Sequence, residues 1–105
     1  MPKGEYLGEL ELLTLSAIHR LGKEADGGSI REEIEERAGR RTSIGTIYAT
    51  LARLHEKGFV TFVLSEPLPV RGGRARKLVR LSASGARTLR AATDSFARMF
   101  GMVRA

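Results

Sequence analysis

Thr42-Ser43-Ile44-Gly45-Thr46-Ile47-Tyr48-Ala49-Thr50-Leu51-Ala52-Arg53-Leu54-His55-Glu56-Lys57-Gly58 is the stretch on which the fold turns. Ile44, Ile47, Leu51 and Leu54 recur at steps of three and four, the period of one helical face, so the spacing predicts a helix with these four as its buried stripe. Ser43 is expected to cap it through its side-chain oxygen, and Gly58 to end it. The solvent face then carries Gly45, Thr46, Ala49, Thr50 and Arg53, with Tyr48 at the border of the stripe. That face is small-side-chained and nearly free of acid. A helix entering a groove about 12 Å wide gains from small residues at its tip, hydroxyls that donate to phosphates, and an Arg that reaches a base edge or the backbone.

Upstream, Ser29 stands three residues before Glu32, which predicts a capped helix of about ten residues with Ile30, Ile34 and Ala38 as its seam, an acidic outer face and Gly39 as its stop. Arg40 and Arg41 lie in the connection to the next helix. Further upstream, Tyr6, Leu10, Leu13, Ala17 and Leu21 form one stripe of a helix over 5–21. Leu12 and Leu15 project away from that stripe, so a single chain is expected to leave both in water and to need a second contact surface.

Downstream, Phe59 to Ser65 is rich in β-branched and aromatic residues, Pro67, Pro69, Gly72 and Gly73 mark a loop, and Lys77 to Leu81 reads as a return strand. The loop should project Arg71, Arg74 and Arg76, with Lys77 behind them. A last helix, capped by Ser82 or Ser84 and running to about Met102, carries Leu89, Ala92, Phe96, Met99, Phe100 and Val103 at alternating steps of three and four. That spacing is a seam to bury. The order of elements predicts a mainly α chain with one β-hairpin, a winged helix-turn-helix over 1–82 and a C-terminal dimerisation helix over 83–105.

Composition bounds the function. The chain has 105 residues, 42% of them hydrophobic, and no Cys, which excludes a disulfide scaffold, a zinc finger and a thiol nucleophile and accords with a cytoplasmic protein. No cofactor or metal is expected, and the longest uncharged apolar run, Leu12 to Ile18, is far short of the roughly 20 residues that span a bilayer. Net charge is +6, but its distribution matters more: Met1 to Glu36 holds nine acids against four bases, and Arg37 to Ala105 holds three against fourteen. From Pro67 to Thr93 there are seven bases and no carboxylate. Such a segment attracts polyanions through counterion release, although a basic surface kept for solubility would carry the same charge.

Thr42 to Val60, together with Gly72-Gly73-Arg74-Ala75-Arg76-Lys77-Leu78-Val79-Arg80-Leu81-Ser82-Ala83-Ser84-Gly85 and Tyr6-Leu7-Gly8-Glu9-Leu10-Glu11, resembles the PadR-like transcriptional regulators over nearly the whole chain. The resemblance implies a homodimeric DNA-binding regulator, usually a repressor, dimerised through its first and last helices. It places Ser43, Thr46, Tyr48 and Arg53 on the recognition helix and Arg74 and Arg76 on the wing. The chain departs from the family's usual pattern with Gly27-Gly28 ahead of helix 2 and Leu78-Val79 in the second wing strand. Some relatives release DNA on binding a small aromatic compound; this chain has no Trp to line such a cavity, so no effector is carried over.

The DNA-facing candidates are thus Arg41, Ser43, Thr46, Tyr48, Ala49, Thr50, Arg53, Arg71, Arg74, Arg76 and Lys77, and those for the dimer are Leu12, Leu15, Leu89, Ala92, Phe96, Met99, Phe100 and Val103. The expected partners are a pseudo-palindromic duplex and a second copy of the chain, with no membrane. Each residue has a plainer alternative. Tyr48 can be a core residue with a wet hydroxyl, Arg53 a partner for Glu56, the wing arginines loop solubilisers, and Phe96, Met99 and Phe100 the lining of a ligand cavity. His19 and His55 read as structural, and the glutamates of helix 2 as a solvated face. The rival to a DNA-binding regulator is a winged helix that contacts only protein; an enzyme is disfavoured by the lack of any nucleophile and base at a recognisable spacing.

Overall fold

Leu15 and Ile18, Ile30 and Ile34, and Ile47, Leu51 and Leu54 meet in one core, each no more than 3% exposed. They come from α1 (Glu9–Leu21), α2 (Gly27–Ala38) and α3 (Ile44–Glu56) of a computed structural model that describes residues 7–66 and 75–102. An antiparallel hairpin follows, β1 (Val60–Leu64) paired with β2 (Lys77–Leu81) in a register that sets Val60 opposite Leu81 and Leu64 opposite Lys77. Phe59, Val60 and Val79 close the core from that side. Val79 N–H also donates to Ala25 O at 2.9 Å, so the segment ahead of α2 borders β2. A final helix, α4 (Ala83–Met99), returns over α1. The architecture is a winged helix-turn-helix with one added C-terminal helix.

Local chemistry sets the boundaries. α2 begins three residues earlier than the sequence predicts, because Asp26 and not Ser29 caps it: Asp26 Oδ1 accepts from Ser29 N–H at 2.8 Å while Ser29 Oγ accepts from Asp26 N–H at 3.0 Å. This is a reciprocal box with an Asp at its first position. Gly39, at φ 65°, closes the helix as expected, and Ala38 is exposed and not part of the seam. α3 is capped by Ser43, whose Oγ accepts from Thr46 N–H at 3.0 Å. α4 is capped by Ser82, not Ser84, through Gly85 N–H at 2.9 Å, and ends at Met99.

Leu15 corrects an expectation: it is fully buried within the chain and has no side left for a partner. The reason is the position of α1, which packs against α2, α3, α4 and β2, so that more than one stripe of it is covered. Leu89, expected on the same surface, is likewise 7% exposed and belongs to the core of the single chain. Leu12 remains only half-buried.

A partly buried ion pair joins the first turn of α1 to the end of α3. Lys57 Nζ donates to both carboxylate oxygens of Glu11, at 2.8 and 3.0 Å, and Glu11 Oε1 also accepts from Gly8 N–H at 2.9 Å. Burial opposes the charge on Glu11, but the hydrogen bonds from Lys57 and Gly8 outweigh it and hold the carboxyl below the ordinary value of 4.5. Replacing Lys57 by Met would leave Glu11 buried without its counter-charge, and should cost about 2 kcal/mol, less than the ~3–5 kcal/mol of a fully enclosed pair. Because the folded-state value is depressed, the stabilisation is complete above the unfolded value and lost as pH falls through the folded one. Glu11→Gln should therefore be less stable than the parent near pH ~7, with the gap closing below about pH 4.5. Urea unfolding of both chains across that range measures it; a gap that persists in acid contradicts the assignment.

Candidate nucleic-acid interface

α3 presents its N-terminal turns to solvent. Ser43, Gly45, Thr46, Tyr48, Ala49 and Arg53 are all exposed on a helix that has no carboxylate before Glu56. The Ser43 and Thr46 hydroxyls lie 2.9 Å apart, so the cap also fixes the rotamer of the second hydroxyl at the tip. Two members of the expected pattern exchange places. Thr50 is fully buried, its Oγ1 donating to Thr46 O at 2.8 Å and accepting from Arg53 Nη2 at 3.2 Å, so it is removed from the solvent face. Ile44, expected in the stripe, is 42% exposed. The buried positions are 47, 50, 51 and 54, which complete a helical face without the first turn.

Tyr48 is 54% exposed, and its ring lies over Gly27 at the start of α2. A Cβ on Gly27 would stand 2.8 Å from ring carbons, so the absence of a side chain at Gly27 gives the ring its seat. Arg53 donates to Thr50, and Arg41 reaches Glu35 at 3.2 Å while remaining almost wholly in solvent.

On the wing, Lys77 Nζ sits 4.2 Å above the Phe62 ring, and that ring is 5.1 Å from His55 of α3. This stack ties the hairpin to the end of α3 and keeps the ammonium exposed. His55 is therefore exposed and packed on the wing, and His19 is exposed on α1. Arg76 does not extend freely: its guanidinium pairs with Glu24 and Asp26. Burial opposes the Asp26 charge, but Ser29 N–H and Arg76 hold the carboxyl below the ordinary aspartate value. Arg71 and Arg74 lie outside the described residues, as does Val103.

The charge division of the sequence is partly cancelled in three dimensions. Arg37, Arg40, Arg41, Lys57 and Arg76 of the basic segment pair with Glu33, Glu9, Glu35, Glu11 and the Glu24/Asp26 couple of the acidic one. Glu33 also takes Arg20 at 2.9 Å, so the glutamates of α2 are not simply solvated. Lys57 and Glu11, and Arg76 and Glu24, lie 46 and 52 residues apart and leave no local signal, whereas the i,i+4 spacing of Glu33 and Arg37 is readable in the sequence.

At the far end of α4, Phe96 is 46% exposed, Phe100 67% and Met99 82%, and the two phenyl rings stack at 5.7 Å. Ala92 and Leu12 are half-buried beside Phe96, along an open groove of about 580 Å³ between α1 and α4. Among the described residues, no cluster of three or more His, Asp or Glu could hold a metal ion, and no helix is long and apolar enough to cross a membrane.

A family model described as the transcriptional regulator PadR-like family matches residues 15–91. No curated protein matches the chain. Among solved structures, it is similar to a PadR family transcription regulator from hypervirulent Clostridium difficile R20291, at 24% identity and a TM-score of 0.72 over 90% of this chain and 92% of that one. A PadR-like transcriptional regulator from Bacillus cereus gives 20% identity and a TM-score of 0.72 over 88% and 84%. At these identities the likeness speaks for the fold. Bacillus subtilis PadR, solved in complex with operator DNA, gives 25% identity and a TM-score of 0.63 over 78% of this chain and 45% of that one.

Proposed function

Because the chain belongs to the PadR-like transcriptional regulator family, we propose that it is a homodimeric, sequence-specific binder of double-stranded DNA that represses transcription in the cytoplasm. The observation that carries this reading is the exposed, acid-free tip of α3, with Ser43, Thr46, Tyr48, Ala49 and Arg53 on one solvent face beside a basic hairpin. The α3 tip enters the major groove, where Thr46 and Arg53 meet base edges and Ala49 meets a thymine methyl. The wing, through Lys77 and the arginines of its loop, holds backbone or minor groove. The operator complex of the Bacillus subtilis relative supports the same partner for this chain. Two copies, joined through residues 83–105 and α1, would place their α3 tips in successive major grooves about 34 Å apart, on a pseudo-palindromic site. No cofactor or effector enters the reading.

Selection of bound duplexes from a random pool tests it, and a two-fold-symmetric consensus is expected. Thr46→Val and Arg53→Gln should then alter base preference at one position per half-site, each changing discrimination there by about 1–3 kcal/mol. Arg74→Gln should weaken binding to all sequences alike and reduce the slope of log K against log salt by about 0.9 per subunit. Variants indistinguishable from the parent in gel-shift titrations would remove α3 and the wing from the interface.

A further inference from the structure

Arg76 stands immediately before β2, and its side chain turns away from the wing loop, back to the turn that precedes α2. Its Nε donates to Asp26 Oδ2 at 3.2 Å, its Nη1 to Glu24 Oε2 at 3.2 Å, and its Nη2 also lies on Asp26 Oδ2. Asp26 is no free surface acid, because its other oxygen caps α2 through Ser29 N–H. Ala25, between the two acids, is itself bonded to β2 through Val79 N–H. The backbone of Arg76 is held in turn: its N–H donates to Ser65 Oγ at 2.8 Å and its carbonyl accepts from Ser65 N–H at 2.8 Å. One residue therefore joins the loop ends of both strands to the start of α2.

A phosphate that recruited this guanidinium would have to displace two carboxylates already bonded to it, one of them anchored by a helix cap. We propose that Arg76 is a positioning residue that straps the loop end of the hairpin to the turn ahead of α2, and not a phosphate ligand. The strap holds the loop end of the hairpin against the turn ahead of α2 and so fixes the direction in which the wing is presented. Its consequence for DNA rests on the function proposed above and reassigns one residue of it.

Two variants of the whole chain separate the roles. Arg76→Gln removes the strap from one side. Glu24→Gln with Asp26→Asn removes it from the other and leaves α2 capped, since Asn caps as well as Asp. In amide hydrogen exchange of the free protein, the Ser65, Arg76 and Val79 amides should exchange about fivefold faster in both variants, the effect of an exposed ion pair at the upper end of its range, while core amides of α1 and α3 keep their rates. In salt titrations with duplex DNA, Arg76→Gln should retain the parent's slope. Exchange rates equal to the parent's in both variants overturn the strap, and so does a slope lowered by about 0.9 per subunit, the signature of one lost phosphate contact. If the parent binds no duplex at any salt, the regulator reading fails and the exchange rates still decide the strap.

Discussion

Gly85→Ala should lower the thermal midpoint by about 10–15 °C, although alanine is the better helix former. The helix-interior preference for Ala over Gly is worth about 1 kcal/mol and would by itself predict stabilisation. The close approach at this position reverses the sign. Gly85 lies buried in the first turn of α4 against the backbone where β1 begins, and an added Cβ would stand 2.0 Å from Phe59 O and 2.9 Å from its carbonyl carbon. Neither atom belongs to a side chain that can swing aside. The same carbonyl accepts from Ser82 N–H at 3.0 Å, and Ser82 Oγ donates to Gly58 O at 2.6 Å, so α4 cannot back away without breaking both bonds and its own cap. Overpacking against fixed backbone costs about 1–3 kcal/mol and sometimes more, and for a domain of this size a net loss of about 2–3 kcal/mol corresponds to the stated shift. A thermal melt that leaves the midpoint unchanged would mean that the α4 and β1 junction is looser than described. Because α4 carries the exposed phenyl rings, a displaced junction should also reorient them.

This junction marks a limit of what a sequence discloses. The helices, the hairpin and their order were legible because their signals are local: the stripe of Ile47, Leu51 and Leu54, the Ser43 cap, and the β-branched run ending in a Pro and Gly loop. Most misassigned residues take their environment from distant chain, and Thr50 from a bond within its own helix. Leu15 lies off the first stripe of α1, but α1 is covered from several directions, a fact of packing that one helix's periodicity does not carry. Thr50 is polar and was placed outside, yet it bonds its own helix's carbonyl at Thr46 and so tolerates burial. Arg76 lies in a Gly-flanked basic loop and looks free until Glu24 and Asp26, some fifty residues earlier, arrive beside it. Solvent exposure is legible where it follows from helix phase, as at Thr46, Ala49 and Arg53, and not where a long-range partner decides.

Phe96→Asp should convert the protein to a folded monomer and weaken its binding to a two-half-site duplex by about a hundredfold or more. Phe96, Met99 and Phe100 lie on the exposed side of α4, and the Phe96 and Phe100 rings stack on each other there. Large apolar side chains gathered on one surface mark an interaction site more often than isolated ones do. Substituting an exposed residue removes little from the core of Leu15, Ile30 and Leu54, so each chain should keep its fold and its far-ultraviolet spectrum. In the proposed dimer a carboxylate at this position would meet its symmetry mate inside an apolar seam and carry a desolvation cost without a counter-charge. Sedimentation equilibrium should give a mass near 11.5 kDa for the variant and twice that for the parent. Two linked reading heads gain about 10²–10⁴ in affinity over one through effective concentration, and the variant forfeits that gain while each α3 tip remains intact. Its affinity for an isolated half-site should therefore equal the parent's. A parent that sediments as a monomer at micromolar concentration would sink the proposed dimer, and a variant that stays dimeric would move the interface elsewhere on the chain.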